Sequence, residues 1–294
     1  MEEPATETFV AHRNLLFTVA YEMLGSAADA EDVLQETWLR WIDVDQEQVR
    51  DQRAYLVRIT TRQALNRLRT MSRRKEAYVG PWLPEPLLTT PDVAQDVELA
   101  ESVSMALMLV LETLSPTERA VFVLREVFDV DYDEIAAAVD KSPAAVRQIA
   151  MRARRHVDAR RPRQTVPAKV TRAALDSFRR ALETGDMQGL LDLLAPDVVM
   201  LNDGGGVKQA APRPILGAGK VARFIAGAIA KFGVDVALAP TTVNGNPALA
   251  VHNAAEFDGI LAIRWDHDRI AGLYYVRNPE KLTRATSETP LTLR

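Results

Sequence analysis

Four prolines between residues 81 and 91 interrupt a chain whose first eighty residues carry helical periodicity almost without a break. Proline lacks the N–H that a helix needs and its ring clashes with the preceding turn, so the stretch from Gly80 to Pro91 is expected to be a linker. A second break, Arg161 to Pro167, separates another helical stretch from a segment of alternating apolar runs and glycine turns. The chain therefore has to build several cores rather than one, and 294 residues with 47% hydrophobic content suffice for two or three domains. The expected divisions are a helical module at 5–79, a linker at 80–95, a second helical module at 96–161, a short linker at 162–167, a third domain at 168–283 and a loose tail at 284–294.

Charge is distributed unevenly over these segments. The formal net charge is -4, yet Arg53 to Lys75 holds eight basic side chains and no acid. Lys141 to Arg163 holds eight more against the single acid Asp158. Two cationic runs in an acidic chain point to two contacts with one polyanion. A solvated helix face is the plain alternative for either run taken alone.

Local signals around the second run sharpen its reading. Ser115, Pro116 and Glu118 form a capping-box pattern with proline at the first helical position, opening a helix through about Phe128. Asp131 is expected to cap the next helix, roughly Tyr132 to Val139, and Ser142 a third, from Pro143 to about Arg160. Helix, short turn and helix make a helix-turn-helix. On the third helix Val146, Ile149, Ala150, Ala153 and Val157 recur at steps of three and four and should face inward. Arg147, Gln148, Met151, Arg152 and Arg155 fall on the opposite face, where arginine can bridge the two acceptors of guanine and glutamine can pair with adenine. Arg154, Arg160, Arg161 and Arg163 suit phosphates, which carry no sequence information.

The chain has no cysteine, which excludes disulfides and thiolate zinc sites. No run of about 18 apolar residues occurs, and the acidic start Met1 to Pro4 does not read as a signal peptide. A cytoplasmic protein without membrane contact, metal or cofactor is the expectation.

The helix from Ala28 to Trp41 resembles the one by which bacterial sigma factors grip core RNA polymerase. The next, Ala54 to Leu68, resembles the promoter-melting, minus-10-reading helix of the extracytoplasmic-function group, and the helix-turn-helix is similar to its minus-35 reader. The resemblance spans residues 5 to 161. It implies polymerase contact through Asp29, Asp32, Gln35, Glu36 and Trp38, with Val33, Leu34 and Trp41 as packing surface beside the charged stripe. It implies minus-10 contact through Tyr55, Arg58, Arg62, Asn66 and Arg69, a cationic set with one aromatic for stacking. Arg62 stands where this group usually has asparagine. The loop from Asp43 to Gln52 corresponds to the segment that captures a flipped base, and it is acidic here.

The third domain reads as helices at 168–184, 187–194 and 219–232 with strands at 198–201, 234–238, 248–253, 259–265 and 270–276, the last pair a hairpin across Asp266 to Arg269. Helices followed by a curved sheet indicate an α+β cone beside two all-α modules. The order resembles the SnoaL-like members of the nuclear transport factor 2-like superfamily. Trp82, Leu83, Pro84, Glu85 and Pro86, then Asp203, Gly204, Gly205 and Gly206 with Lys208, and Asn278, Pro279, Glu280, Lys281 and Leu282 match signatures of sigma factors with a fused SnoaL-like extension, the sigma factor J type. The resemblance implies an extension that replaces a separate anti-sigma protein. Val207 before Lys208 and glutamate at 280 depart mildly from that pattern. Glycines permit close backbone approach and Trp82 is a stiff apolar anchor, so the linker is expected to dock near the glycine loop and residues 278–282.

Two other functions stay open at this point. One is a ligand-sensing helix-turn-helix regulator that never meets polymerase; the other is an enzymatic SnoaL-like protein with an acid/base group among His252, Asp258, Asp266 and His267. Whether the cone holds a small molecule is likewise open.

Overall fold

The computed structural model describes residues 2–160, 168–232, 236–285 and 287–293. The second linker, with Arg161 and Arg163, lies outside them, as do the side chains of Arg73 and Arg74. The helices are α1 (Glu2–Leu24), α2 (Ala27–Ile42), α3 (Gln52–Glu76), α4 (Pro91–Gln95), α5 (Val97–Ser102), α6 (Met105–Leu111), α7 (Pro116–Phe122), α8 (Tyr132–Val139), α9 (Pro143–Asp158), α10 (Ala168–Thr184), α11 (Met187–Leu193) and α12 (Ala218–Phe232). The strands are β1 (Leu194–Asp203), β2 (Ile215–Leu216), β3 (Val236–Val243), β4 (Asn246–Asn253), β5 (Glu256–Asp266) and β6 (Arg269–Val276). They form two units, one of residues 1–77, 107–161 and 290–294, the other of residues 78–106 and 162–289.

In the helical unit, α1, α2 and α3 pack on one another. Their contact follows from spacing: Ala27, Ala30, Val33, Leu34, Thr37 and Trp41 recur at three and four along α2 and are all buried. Val33, Leu34 and Trp41, expected to offer surface to a partner, are thus the module's own core, and the Trp41 indole donates to the Ala5 carbonyl (2.9 Å). Each fully buried side chain of this size contributes about 1.5–3 kcal/mol. The Ser115 capping box is formed, and Ser142 accepts from the Ala145 N–H at the start of α9. Asp131 occupies the cap position of α8 but makes no side-chain cap bond. The helix that begins at Pro116 ends in a π-helical turn, Val123–Val127, rather than running on regularly. The last residues, expected to be loose, are seated: Leu291 is 5% exposed, and the Thr292 N–H donates to Thr18 Oγ1 (3.1 Å).

The second unit is a six-stranded sheet in the order β2-β1-β6-β5-β4-β3, antiparallel except for the β1–β6 pair. Helices α10, α11 and α12 supply Leu175, Phe178, Leu190 and Val221 to its core, which closes over Met200, Leu249, Ile263, Trp265 and Leu273 of the strands. Residues 96–106, assigned from sequence to the helix-turn-helix module, belong to this unit. The reason is tertiary: amides of the β3–β4 turn hold main-chain carbonyls of Ala100 and Val103.

Candidate functional site

On α9 the inward set Val146, Ala150, Ala153 and Val157 is buried, whereas Ile149 is only half-buried. The opposite face leaves Arg147, Gln148, Met151, Arg152 and Arg155 exposed together. Arg147 lies over the Tyr132 ring (5.5 Å), as does Arg125 (4.8 Å), which fixes the start of α9 against α8. Arg154 is not free for a phosphate, because Glu126 takes its guanidinium at 2.6 and 2.8 Å.

On α3, Tyr55 stacks obliquely on Trp41 (5.9 Å) with the Arg58 guanidinium over its ring (4.8 Å). Asn66 and Arg69 are exposed and meet each other at 3.4 Å. Arg62 donates to the carbonyl of Ala137 (2.7 Å). That carbonyl lies in the last turn of α8, where carbonyls lack helical partners and the dipole favours a cation. The first helix of the helix-turn-helix therefore sits on the helix that carries the first basic run. A groove of about 540 Å³ runs between them, with Tyr55, Arg58 and Thr61 on one wall and Asp133, Glu134 and Ala137 on the other.

A part-buried ion cluster joins the same two modules. Glu112 receives Lys75 from the end of α3 and Arg119 from α7, and Arg119, 2% exposed, also donates to the Glu22 carbonyl of α1 (2.9 Å). Burial opposes the charge on Glu112, but Arg119 and Lys75 outweigh it and hold its carboxyl below the ordinary range.

The stripe on α2 is partly engaged. Arg67 of α3 takes Asp29 (2.6 Å) and Asp32 (2.5 Å), whereas Gln35 and Glu36 are exposed and Trp38 packs on Phe9 (5.2 Å). Leu39 (53%) and Ile42 (42%) are the large exposed apolar residues of this helix. Sequence reasoning passed over them, although Leu39 lies three residues from Glu36 on the same face.

In the second unit the three signature segments converge. Asp203 at the end of β1 is fully buried: its Oδ1 accepts from the Tyr78 hydroxyl (2.5 Å) and the Gly205 N–H (3.1 Å), its Oδ2 from the Leu83 N–H (2.8 Å) and the Lys281 ammonium (2.7 Å). Lys281 also donates to the Leu83 carbonyl (2.6 Å) and lies over the rings of Trp82 (4.1 Å) and Tyr78 (4.7 Å). Asn278 donates to the Tyr78 oxygen (2.8 Å). Burial first, then the bond and charge of Asp203, push the Tyr78 phenol well above its ordinary pKa. Gly205 has φ +61, and a Cβ there would strike the Asn278 amide; one on Gly206 would stand 3.3 Å from Val79. Gly204 lies inside a turn that accepts the Lys208 N–H (2.9 Å). Leu83, Pro84, Glu85, Pro86 and Leu282 are buried, whereas Pro279 and Glu280 are exposed. Lys208 reaches Asp258 (3.5 Å). Tyr78 lay just outside the motif and was missed, as was the turn Asn244 to Asn246.

The four acid/base candidates do not assemble. Asp258 is saturated by the Tyr275 hydroxyl (2.5 Å) and by Arg277 (2.7 and 2.9 Å). Burial raises its pKa, but the bonds from Arg277 and Tyr275 and the charges of Arg277 and Lys208 bring it below the ordinary value. His252 packs on Phe257, and Asp266 and His267 lie at the β5–β6 turn, 3.9 Å apart. Among the described residues no group of three His, Asp or Glu could hold a metal, and no helix is long and apolar enough to cross a membrane.

Residues 8–74 match the family model of sigma-70 region 2, and residues 104–157 that of sigma-70 region 4. An ECF RNA polymerase sigma factor of Mycobacterium tuberculosis, SigJ, is 36% identical, covering 94% of this chain and 92% of the relative. A probable ECF sigma factor of the same organism, SigI, is 29% identical over 95% of each. The crystal structure of M. tuberculosis SigJ superposes with TM-score 0.77 at 35% identity, covering 95% of this chain and 98% of that one. The two promoter-type helical modules, the fused cone and this likeness over nearly the whole length have one reading: the chain belongs to the extracytoplasmic-function RNA polymerase sigma factors of the SigJ type, which are transcription initiation factors.

Proposed function

We propose that this sigma factor meets core polymerase through Asp29, Asp32, Gln35, Glu36 and Trp38 and reads minus-10 DNA through Tyr55, Arg58, Arg62, Asn66 and Arg69. Arg147, Gln148, Met151, Arg152 and Arg155 read the minus-35 duplex. Its own C-terminal cone takes the place of an anti-sigma protein by holding the linker between the two modules. The observation that carries cis control is the buried Asp203, whose four hydrogen bonds include one from Tyr78, just before the linker, and one from Leu83 within it. The Arg62 bond to α8 supports a resting state, since a guanidinium that satisfies the end of α8 is not available to a DNA strand until region 4 leaves α3. The cone itself has no catalytic role in this reading, which the saturation of Asp258 supports. The action takes place in the cytoplasm, where polymerase and promoter are.

The test is start-site-resolved transcription by core polymerase supplied with the full chain or with Asp203→Asn. A changed transcript yield at unchanged start sites is the expected result. Equal yields from both proteins would remove the claim of cis control, and absence of transcripts from any promoter with either protein would remove the assigned polymerase and promoter contacts.

A further inference from the structure

The turn between β3 and β4 consists of Asn244 (φ 52) and Gly245 (φ 69), an asparagine–glycine pair in the left-handed region as a tight hairpin requires. Hairpin geometry explains the residue types but not what their polar groups do. The Leu87 N–H donates to Asn244 Oδ1 (3.0 Å) and the Asn244 N–H returns to the Leu87 carbonyl (2.9 Å). Asn244 Nδ2 donates to the Val103 carbonyl (2.8 Å) and Asn246 Nδ2 to that of Ala100 (3.0 Å), so the two amides serve carbonyls at and just beyond the end of α5, where helical partners run out. The Gly245 N–H donates to Thr89 Oγ1 (3.0 Å), and a Cβ on Gly245 would stand 2.6 Å from the Ala100 Cα. Asn244 is 1% exposed.

The sheet edge beside this turn is used as well. β3 is an outer strand, and the linker adds itself to it: Leu88 bridges Val243 antiparallel, and the Thr89 N–H donates to the Thr242 carbonyl (3.2 Å). On the other side of the linker the Thr289 N–H donates to the Leu88 carbonyl (2.7 Å). Strand addition gives affinity through main-chain bonds, and the asparagine amides add register.

We propose that the Asn244–Asn246 turn and the β3 edge form a second docking site for the linker, independent of the one at Asp203. Residues 78–83 and 87–103 then leave the cone in separate steps. With both sites closed, only Ser104 to Ala106 separate the docked linker from Leu107, where the chain re-enters the helical unit. Opening the second site alone frees Pro84 to Val103, a tether that reaches roughly 70 Å when extended. Region 4 gains that reach while residues 78–83, next to the end of α3, stay anchored, so the minus-35 module is free to part from α3 before the linker leaves Asp203. This order of release deepens the cis-control reading and rests on it; the existence of the second site does not.

Hydrogen exchange in the full chain tests it at three amides, those of Leu83, Leu87 and Thr89. Asn244→Ala should speed exchange about tenfold or more at Leu87 and Thr89 and leave Leu83 within about twofold. Thr89→Val, which changes only the linker side and keeps the test sound if Asn244→Ala disturbs the hairpin, should do the same. Asp203→Asn should give the converse pattern. Joint loss of protection at all three amides in these variants would show a single site and overturn the proposal, as would full protection at Leu87 in both Asn244→Ala and Thr89→Val. Transcription with the same variants reads cis control separately: unchanged yields with the expected exchange pattern would sink cis control and leave the two sites standing.

Discussion

Replacing Lys281 with methionine would leave the Asp203 carboxylate fully buried with three neutral donors and no cation. Removing one member of a buried ion pair costs about 3–5 kcal/mol, because the remaining charge has lost both water and partner. Lys281 is 12% exposed and Asp203 keeps bonds from Tyr78, Leu83 and Gly205, so the lower end applies, about 3 kcal/mol. Loss of the ammonium from between Trp82 and Tyr78 adds about 0.5–1 kcal/mol per ring, much of which methionine regains through sulfur–aromatic contact. Docking of residues 78–83 should therefore weaken by a factor of roughly 100 to 200 at about 1.4 kcal/mol per tenfold. Exchange at the Leu83 amide measures it directly. Asp203→Asn combined with Lys281→Met removes both charges and should recover at least about 1 kcal/mol relative to the sum of the single changes. Leu83 protection unchanged by Lys281→Met, or strict additivity in the double variant, would refute the claim that this ion pair holds the linker.

Gly205→Ala should lower the melting temperature of the cone and loosen Asn278, since a left-handed alanine costs about 1–2 kcal/mol before the clash with the Asn278 amide is counted; a melt equal to wild type would contradict this. Glu112→Gln should destabilise the helical unit by about 3 kcal/mol or more, measured by urea unfolding at neutral pH, because Arg119 is left buried without its counter-charge. The same group sets an acid dependence. Its folded pKa is depressed, so its contribution is complete above the ordinary carboxylate value of about 4.3 and is lost as pH falls through the lower folded value. Wild type should lose that share of stability in acid and Glu112→Gln should not. Arg152→Ala should cost about 1–3 kcal/mol of discrimination between promoter and mismatched minus-35 duplex if it bridges a guanine, whereas uniform weakening on all sequences would assign it to phosphate.

Much of the local structure was legible in the residues. Periodicity placed α2 and α9 and, on α9, the buried side apart from Ile149, and the Ser115 and Ser142 patterns located helix starts that are capped as expected. Five strand positions were legible too, each strand longer than its apolar run because ladder bonds extend to polar residues such as Asp203 and Asn246, whereas the two-residue β2 was not foreseen. Trp41 illustrates the limit: an aromatic at helical spacing is compatible with a core or with a partner surface, and only the position of Ala5 and Tyr55 decides for the core. The packing of residues 96–106 with the cone was not legible for a similar reason, since an acidic helical stretch carries no local mark of which unit it will pack on.

What the sequence determined by itself is therefore what depends on near neighbours along the chain: helices, caps, turns, the exposure of Arg147 to Arg155 along one face, and a cationic surplus in two short runs. Tertiary structure alone decided which group each charge meets. Arg67 could have stood free as part of a basic run, yet it neutralises Asp29 and Asp32; Arg62 satisfies a carbonyl of α8; Lys281 serves Asp203 and the linker rather than solvent. Those partners lie 35 to 198 residues apart in the chain. No periodicity of 3.6 or 2 carries information over such separations, and the energy of a charge depends on the burial and geometry that only the folded chain supplies.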